Sequence, residues 1–275
     1  MGENDKITDE GRFTLYDDYQ PACWIFNSAH VTHGTINVVE AIEQSCNYFF
    51  YDVGSRLGIN NISKYAAMMG LGEKTGIQLS STESAGQVAS AELKESLRNE
   101  RWMGGDTLQA AIGQSLNLFT PIQMASYTST LANSGTRYRA TLLKEVKSRD
   151  NTQILKTFEP EVLSAADIEP YNFELIRQGM IRVARNGTAR STFGVSYPIK
   201  VAAKTGTVQF GSNLETNAVF IAYAPADNPE IAIAVVIEKG GAGSEVASVA
   251  KGLFDYYFAL SDDIGAIESE GVLLR

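Results

Sequence analysis

Two tripeptides of the chain read Lys-Thr-Gly, Lys74-Thr75-Gly76 and Lys204-Thr205-Gly206, and two read Ser-x-Asn, Ser45-Cys46-Asn47 and Ser115-Leu116-Asn117. Set beside a Ser-x-x-Lys, such pieces supply what acylation of a serine by a peptide or β-lactam carbonyl requires. These are a nucleophile with its base, a hydroxyl that relays a proton, an amide that holds an acyl chain, and a cation with hydroxyls for a carboxylate. Context separates the copies. Lys204-Thr205-Gly206 lies inside the strand-like run "VAAKTGTVQ", where Ala202, Ala203 and Gly206 allow another backbone to approach and an edge strand could take up a peptide. Lys204 would bring positive charge to a carboxylate there, and Thr205 and Thr207 would bring hydroxyls. Lys74-Thr75-Gly76 sits between Gly72 and Gly76 after a helix, where turn chemistry explains it. Ser45 and Asn47 interrupt two apolar helical runs and can project into a cleft, whereas Ser115 and Asn117 precede a helix cap and suit local backbone bonding. Standing alone, the strand lysine reads as solvated and the Ser45/Asn47 pair as a helix break.

The nucleophile has no good candidate in this sequence. "SVAK", Ser248 to Lys251, matches Ser-x-x-Lys, but it lies in the terminal helix, after the Lys-Thr-Gly strand, and Val246, Val249, Ala250 and Leu253 around it make a packing stripe. "STFG", Ser191 to Gly194, has glycine where the lysine must stand. The two histidines, His30 and His33, are too few for a Ser-His-Asp triad and read as a loop or structural pair. Cys23 and Cys46 lack the spacing of a metal set, so no metal site is expected, and whether they pair in an oxidising compartment stays open.

With 275 residues, 44% hydrophobic and 20% charged, the chain can bury a sizeable core. A formal net charge of −9 argues against a nucleic-acid backbone or an anionic bilayer as partner. No apolar run approaches the ~18 to 20 residues that span a bilayer, and the "MGENDK" start has no signal-peptide core.

The elements that must hold these residues follow from periodicity. Residues 1–28 read as a loop-rich lead-in with a short strand at Phe13 to Tyr16. Residues 36–135 are mainly helical: "INVVEAIEQSCNYFFYDVGSRLG" carries two apolar stripes broken at "QSCN", a shorter helix runs to Gly70, and "LGEKTGIQL" then turns into a short strand. "FTPIQMASYTSTLANSG" has Thr120 as N-cap, Pro121 at the first helical position, Gln123 to complete a capping box and Gly135 to stop it. A hairpin around Asp150-Asn151 and a helix ended by Gly187 lead to residues 199–260. There, three strand-like runs joined by short turns and a closing amphipathic helix predict an antiparallel sheet with helical cover. The order makes the fold class α+β, an antiparallel sheet flanked by helices.

Five blocks, "HGTINVVEAIEQSCNYFFYDVGSRLGI", "MGLGEKTGIQL", "AAIGQSLNLFTPIQMASYTSTLANSGT", "RNGTA" and "VAAKTGTVQ", resemble in this order the transpeptidase domain of class B penicillin-binding proteins, from about Phe13 to Leu260. The resemblance implies the penicillin-binding transpeptidase fold shared with serine β-lactamases. It makes Ser45-Cys46-Asn47 and Lys204-Thr205-Gly206 the second and third motifs, with Thr207 N–H as an oxyanion donor. Ser45 would relay protons toward the leaving amine, Asn47 would orient the acyl chain, and Lys204, Thr205, Gly206 and Thr207 would line the carboxylate-bearing end. In that family the acylated serine and its lysine lie upstream of the His-Gly block. The expectation is therefore a C-terminal fragment with no nucleophile in this chain, an N-terminally incomplete fold and no activity alone.

The implied reaction is D-Ala-D-Ala transpeptidation of peptidoglycan stem peptides through a serine acyl-enzyme, stalled by β-lactams, with no cofactor. The implied partners are stem peptides, β-lactams and other cell-wall synthesis proteins, and the implied parent is anchored at the outer face of the bacterial cytoplasmic membrane. A non-catalytic scaffold or a β-lactam sensor is the alternative.

Overall fold

In a computed structural model, the structure describes residues 2–79, 81–209 and 216–260. The lead-in holds β1 (Ile7–Asp9) and α1 (Trp24–Ala29), and β1 pairs antiparallel with β2 (Gly34–Ile36), Ile7 facing Ile36. The strand is thus at Ile7–Asp9 and not at Phe13 to Tyr16, where Phe13 is instead a buried ring edge-on to Tyr48. Packing of that ring outweighed the local strand preference of the aromatic run.

Next come α2 (Val38–Gln44) and α3 (Asn47–Leu57), then α4 (Ile59–Met68), α5 (Ala91–Arg98), α6 (Gly104–Ala111) and α7 (Pro121–Ala132). Asn37 caps α2 in a reciprocal box with Glu40, and Thr120 does the same for α7 with Gln123. The chain after Gly72 does not form the expected short strand. It is held as a turn by Glu83, whose Oε1 accepts from both the N–H and the hydroxyl of Thr75 at 2.6 Å. Two small sheets follow, β3 (Thr136–Tyr138) with β6 (Val162–Ala165), and the hairpin of β4 (Glu145–Lys147) and β5 (Ile154–Thr157), with Asn151 left-handed at its turn.

The last part carries α8 (Pro170–Arg185), α9 (Arg190–Phe193), β7 (Ala202–Gln209), β8 (Thr216–Ala224), β9 (Ile231–Ile237) and α10 (Ala247–Leu260). The three strands form one antiparallel sheet in the order β7-β8-β9, with Lys204 opposite Ile221 and Gly206 opposite Val219. Successive residues of a strand point to opposite faces, yet Phe220 to Ala224 are all buried, so the sheet is covered on both sides. Phe220 stacks on Phe193, which meets Phe254 of α10 edge-on. Helix α8 packs on β7, and α7 on β8 and β9. The buried stripe around Ser248 is Val246, Ala247, Ala250 and Phe254, whereas Val249 and Leu253, expected in it, stand 44% and 47% exposed. This α+β arrangement leaves β7 at the sheet edge among the described residues, with α2 and α3 meeting beside it.

Candidate active site

The break between α2 and α3 is built by one residue. Ser45 ends α2 in the left-handed region, φ 54° and ψ 45°, its N–H turned back to the carbonyls of Ala41 and Ile42. Cys46 then extends and Asn47 opens α3. A side chain held at positive φ costs about 1 to 3 kcal/mol and persists only where its surroundings impose it. Here the imposed geometry aims the Ser45 hydroxyl at the sheet.

Lys204 answers from β7. Its ammonium donates to Ser45 Oγ at 2.8 Å and to the Thr205 carbonyl at 2.8 Å. Both acceptors are neutral, and burial lowers the lysine to about 8, close enough to neutrality for it to give or take a proton through Ser45. Thr205 pairs its hydroxyl with that of Thr188 at 2.7 Å, and Thr207 Oγ1 accepts from Gly243 N–H at 3.1 Å, which leaves the Thr207 proton free for a ligand. Gly243 lies so close to β7 that a Cβ there would stand 2.3 Å from the Gly206 carbonyl oxygen. Gln114 donates to the Thr207 carbonyl at 3.4 Å and ties the turn before Ser115 to the strand. Asn47 is half-buried and its amide engages Tyr51 one turn on. The fold thus brings Ser45, Lys204, Thr205 and Thr207 to one locus, with Asn47 at the start of the adjoining helix.

The other matches to these motifs are engaged by other partners. Thr75 is buried under Glu83. Asn117 donates to the Gln114 carbonyl, the local bonding expected, and also accepts from Ala89 N–H, 28 positions away. Exposed Ser248 donates to the Glu245 carbonyl at 3.3 Å while Lys251 is paired with Asp255 at 2.5 Å.

Sequence spacing concealed one constellation. Cys23 and Cys46, which show no clustering along the chain, lie with their sulfurs 3.9 Å apart. His33 Nδ1 stands 3.5 Å from Cys23 Sγ and 2.8 Å from Asp9 Oδ2. The donor atoms of Asp9, Cys23, His33 and Cys46 all fall within 4.8 Å of one another, and His33 Nε2 is buried without a partner. Two thiolates, an imidazole and a carboxylate suit tetrahedral Zn²⁺. The thiol of Cys46 hydrogen-bonds Cys23, which lowers Cys23 to about 5 and pushes Cys46 up. Burial opposes the shifts of the other two: hydrogen bonds from the backbone of His33 and Gly11 still hold Asp9 low, and contacts to Cys23 and Asp9 hold His33 high. His30 takes no part: it caps α1 at φ 53° and packs its ring on Phe26.

The penicillin binding protein transpeptidase domain, as a family, matches residues 2–255. The chain belongs to that family. Its peptidoglycan D,D-transpeptidase relative MrdA of Acinetobacter baumannii is 32% identical over 267 residues, 91% of this chain and 38% of that protein. Penicillin-binding protein PBP2 of Pseudomonas aeruginosa, solved in complex with WCK 5153, superposes with a TM-score of 0.78 at 31% identity, covering 93% of this chain and 54% of that one. PBP2 of Helicobacter pylori, solved in complex with MreC, gives 0.79 at 26% identity, covering 94% and 46%. The chain therefore spans about two fifths to one half of these proteins. The class B transpeptidase fold expected from the five sequence blocks is the fold of this penicillin-binding protein domain.

Proposed function

We propose that this domain serves a peptidoglycan D,D-transpeptidase, in which Lys204 and Ser45 form the proton path and the β7 edge holds the stem peptide. The observation that carries this reading is the 2.8 Å contact from Lys204 Nζ to Ser45 Oγ. On this reading the acylated serine is the one that the family carries upstream of the His-Gly block, and three serines of this chain are engaged otherwise. Ser45 is the lysine's partner, Ser248 is tied to its own helix, and Ser191 has glycine at the lysine position. When that serine attacks the D-Ala-D-Ala carbonyl, Thr207 N–H stabilises the oxyanion and Asn47 orients the acyl chain. Lys204, through Ser45, delivers a proton to the departing D-Ala amine. Thr205 and Thr207 donate to the substrate carboxylate, and a second stem's amine resolves the ester to give a crosslink. β-Lactams stop at the acyl stage.

Stem peptides, β-lactams and other cell-wall synthesis proteins are the partners on this reading, and the whole enzyme is held at the outer face of the cytoplasmic membrane. No helix among the described residues is long and apolar enough to cross a membrane. The test is the full-length enzyme on uncrosslinked peptidoglycan. D-Alanine release should accompany crosslink formation and vanish in Lys204→Ala, whereas release without crosslinks would make it a carboxypeptidase.

A second reading is favoured by the four buried donors around Cys46. A Zn²⁺ held by Asp9, Cys23, His33 and Cys46 would pin the residue between Ser45 and Asn47, and so fix the proton path without touching substrate.

A further inference from the structure

The turn "NGTA", Asn186 to Ala189, touches the end of α2 just before Ser45 and the Lys204-Thr205-Gly206 strand. It is closed by its own backbone: Asn186 and Gly187 N–H both reach the Arg182 carbonyl at 2.8 Å, and Ala189 N–H reaches Val183 at 3.0 Å. At Gly187 a Cβ would stand 2.4 Å from the Glu43 carbonyl oxygen, so the turn lies directly on the backbone of α2 two residues before Ser45. Arg182, one turn earlier in α8, approaches the Glu43 carboxylate at 3.6 Å. One residue beyond Gly187, Thr188 Oγ1 stands 2.7 Å from Thr205 Oγ1 on β7. A single four-residue turn therefore touches the helix end that presents Ser45 and the strand that presents Lys204.

We propose that Thr188 is a positioning residue for the reaction, setting the direction of the Thr205 hydroxyl toward the substrate carboxylate. The inference rests on the transpeptidase reading of β7. Its chemistry is a matter of counting protons. Each threonine hydroxyl has one proton to give, and a carboxylate only accepts. For Thr205 to donate to a carboxylate, the hydrogen bond between the two threonines must run from Thr188 to Thr205. Thr188 then fills one lone pair of Thr205 and leaves its proton pointing outward. Without Thr188, the Thr205 hydroxyl is free to turn inward to another acceptor, and the carboxylate loses an oriented donor.

Thr188→Val keeps the shape and removes the hydroxyl, and Thr188→Ser restores it. In the full-length enzyme, the second-order acylation rate is measured with a penicillin bearing its free carboxylate and with the methyl ester of the same penicillin. Thr188→Val should lower the rate for the acid about tenfold while the ester stays within about twofold of wild type, and Thr188→Ser should recover the acid rate. If Thr188→Val does not fold, Thr188→Ala carries the same comparison. Equal losses for acid and ester would show a merely structural threonine, and no loss for either would show an idle one; each overturns the proposal alone. A wild-type enzyme acylated by neither compound would instead overturn the transpeptidase reading, and this proposal with it.

Discussion

Lys204 Nζ and Ser45 Oγ, 159 positions apart in sequence, lie 2.8 Å from each other, and burial of the ammonium lowers the lysine to about 8. An ordinary lysine, near 10.4, would be locked in its charged form at neutral pH. This one can exchange its proton with the hydroxyl beside it.

That pKa is open to direct measurement in this chain. With ¹⁵Nζ- and ¹³Cε-labelled lysine, one resonance should titrate near pH 8 and be missing in Lys204→Met. Folding lowers this pKa, so the unfolded chain binds more protons between about 8 and about 10.4. Stability contributed at this site should therefore rise with pH across that window, and Lys204→Met should flatten the slope. A Lys204 resonance titrating at 10 or above would refute the buried ammonium.

The chain by itself should form no covalent adduct with a fluorescent penicillin on denaturing electrophoresis. Ser45 accepts a hydrogen bond from Lys204, and Ser248 faces solvent with its lysine engaged by Asp255. A labelled band whose adduct maps to Ser45, Ser115 or Ser248 would overturn this assignment.

In the full-length enzyme, Lys204→Ala and Asn47→Ala should each raise the acylation barrier by about 2 to 4 kcal/mol, the range for loss of one preorganised polar group. Lys74→Ala should change it by less than about 0.5 kcal/mol. Asn117→Ala behaves differently again. It strips partners from Ala89 N–H and the Gln114 carbonyl and should cost about 1 to 3 kcal/mol of folding stability, with the acylation rate of the folded fraction preserved. Matching acylation losses for Asn47→Ala and Asn117→Ala would mean that the wrong Ser-x-Asn carries the chemistry.

Adding Co²⁺ to the reduced chain should give the visible absorption of a tetrahedral dithiolate site, which Zn²⁺ bleaches and Cys46→Ser or His33→Ala removes. Zn²⁺ should also raise the melting temperature of wild type and leave that of Cys46→Ser unchanged. A spectrum indifferent to Cys46 would exclude the Asp9, Cys23, His33 and Cys46 set as a metal centre.

Sequence by itself determined which residues could do chemistry and which local elements carry them. The break at Ser45 between α2 and α3, the Thr120 capping box, the Asn151 turn and the β7-β8-β9 run were legible because each depends on neighbours within a few positions: a polar interruption of a helical stripe, a cap with its partner three residues on, a short turn between apolar strands. That Lys204 lies in a strand and Lys74 outside one was legible for the same reason, one tripeptide being bounded by turn glycines and the other by strand formers. Tertiary structure alone decided what those residues meet. The lowered pKa of Lys204, the Thr188–Thr205 pair and the four donors around Cys46 join segments up to 159 positions apart, and no local pattern encodes such a distance. Cys23 and Cys46 look unrelated at a spacing of 23 residues, until the β1–β2 pairing and the end of α2 fold Asp9, His33 and both sulfurs into one buried volume. Burial and long-range contact fix the chemistry of titratable groups, and both exist only once the chain has closed on itself.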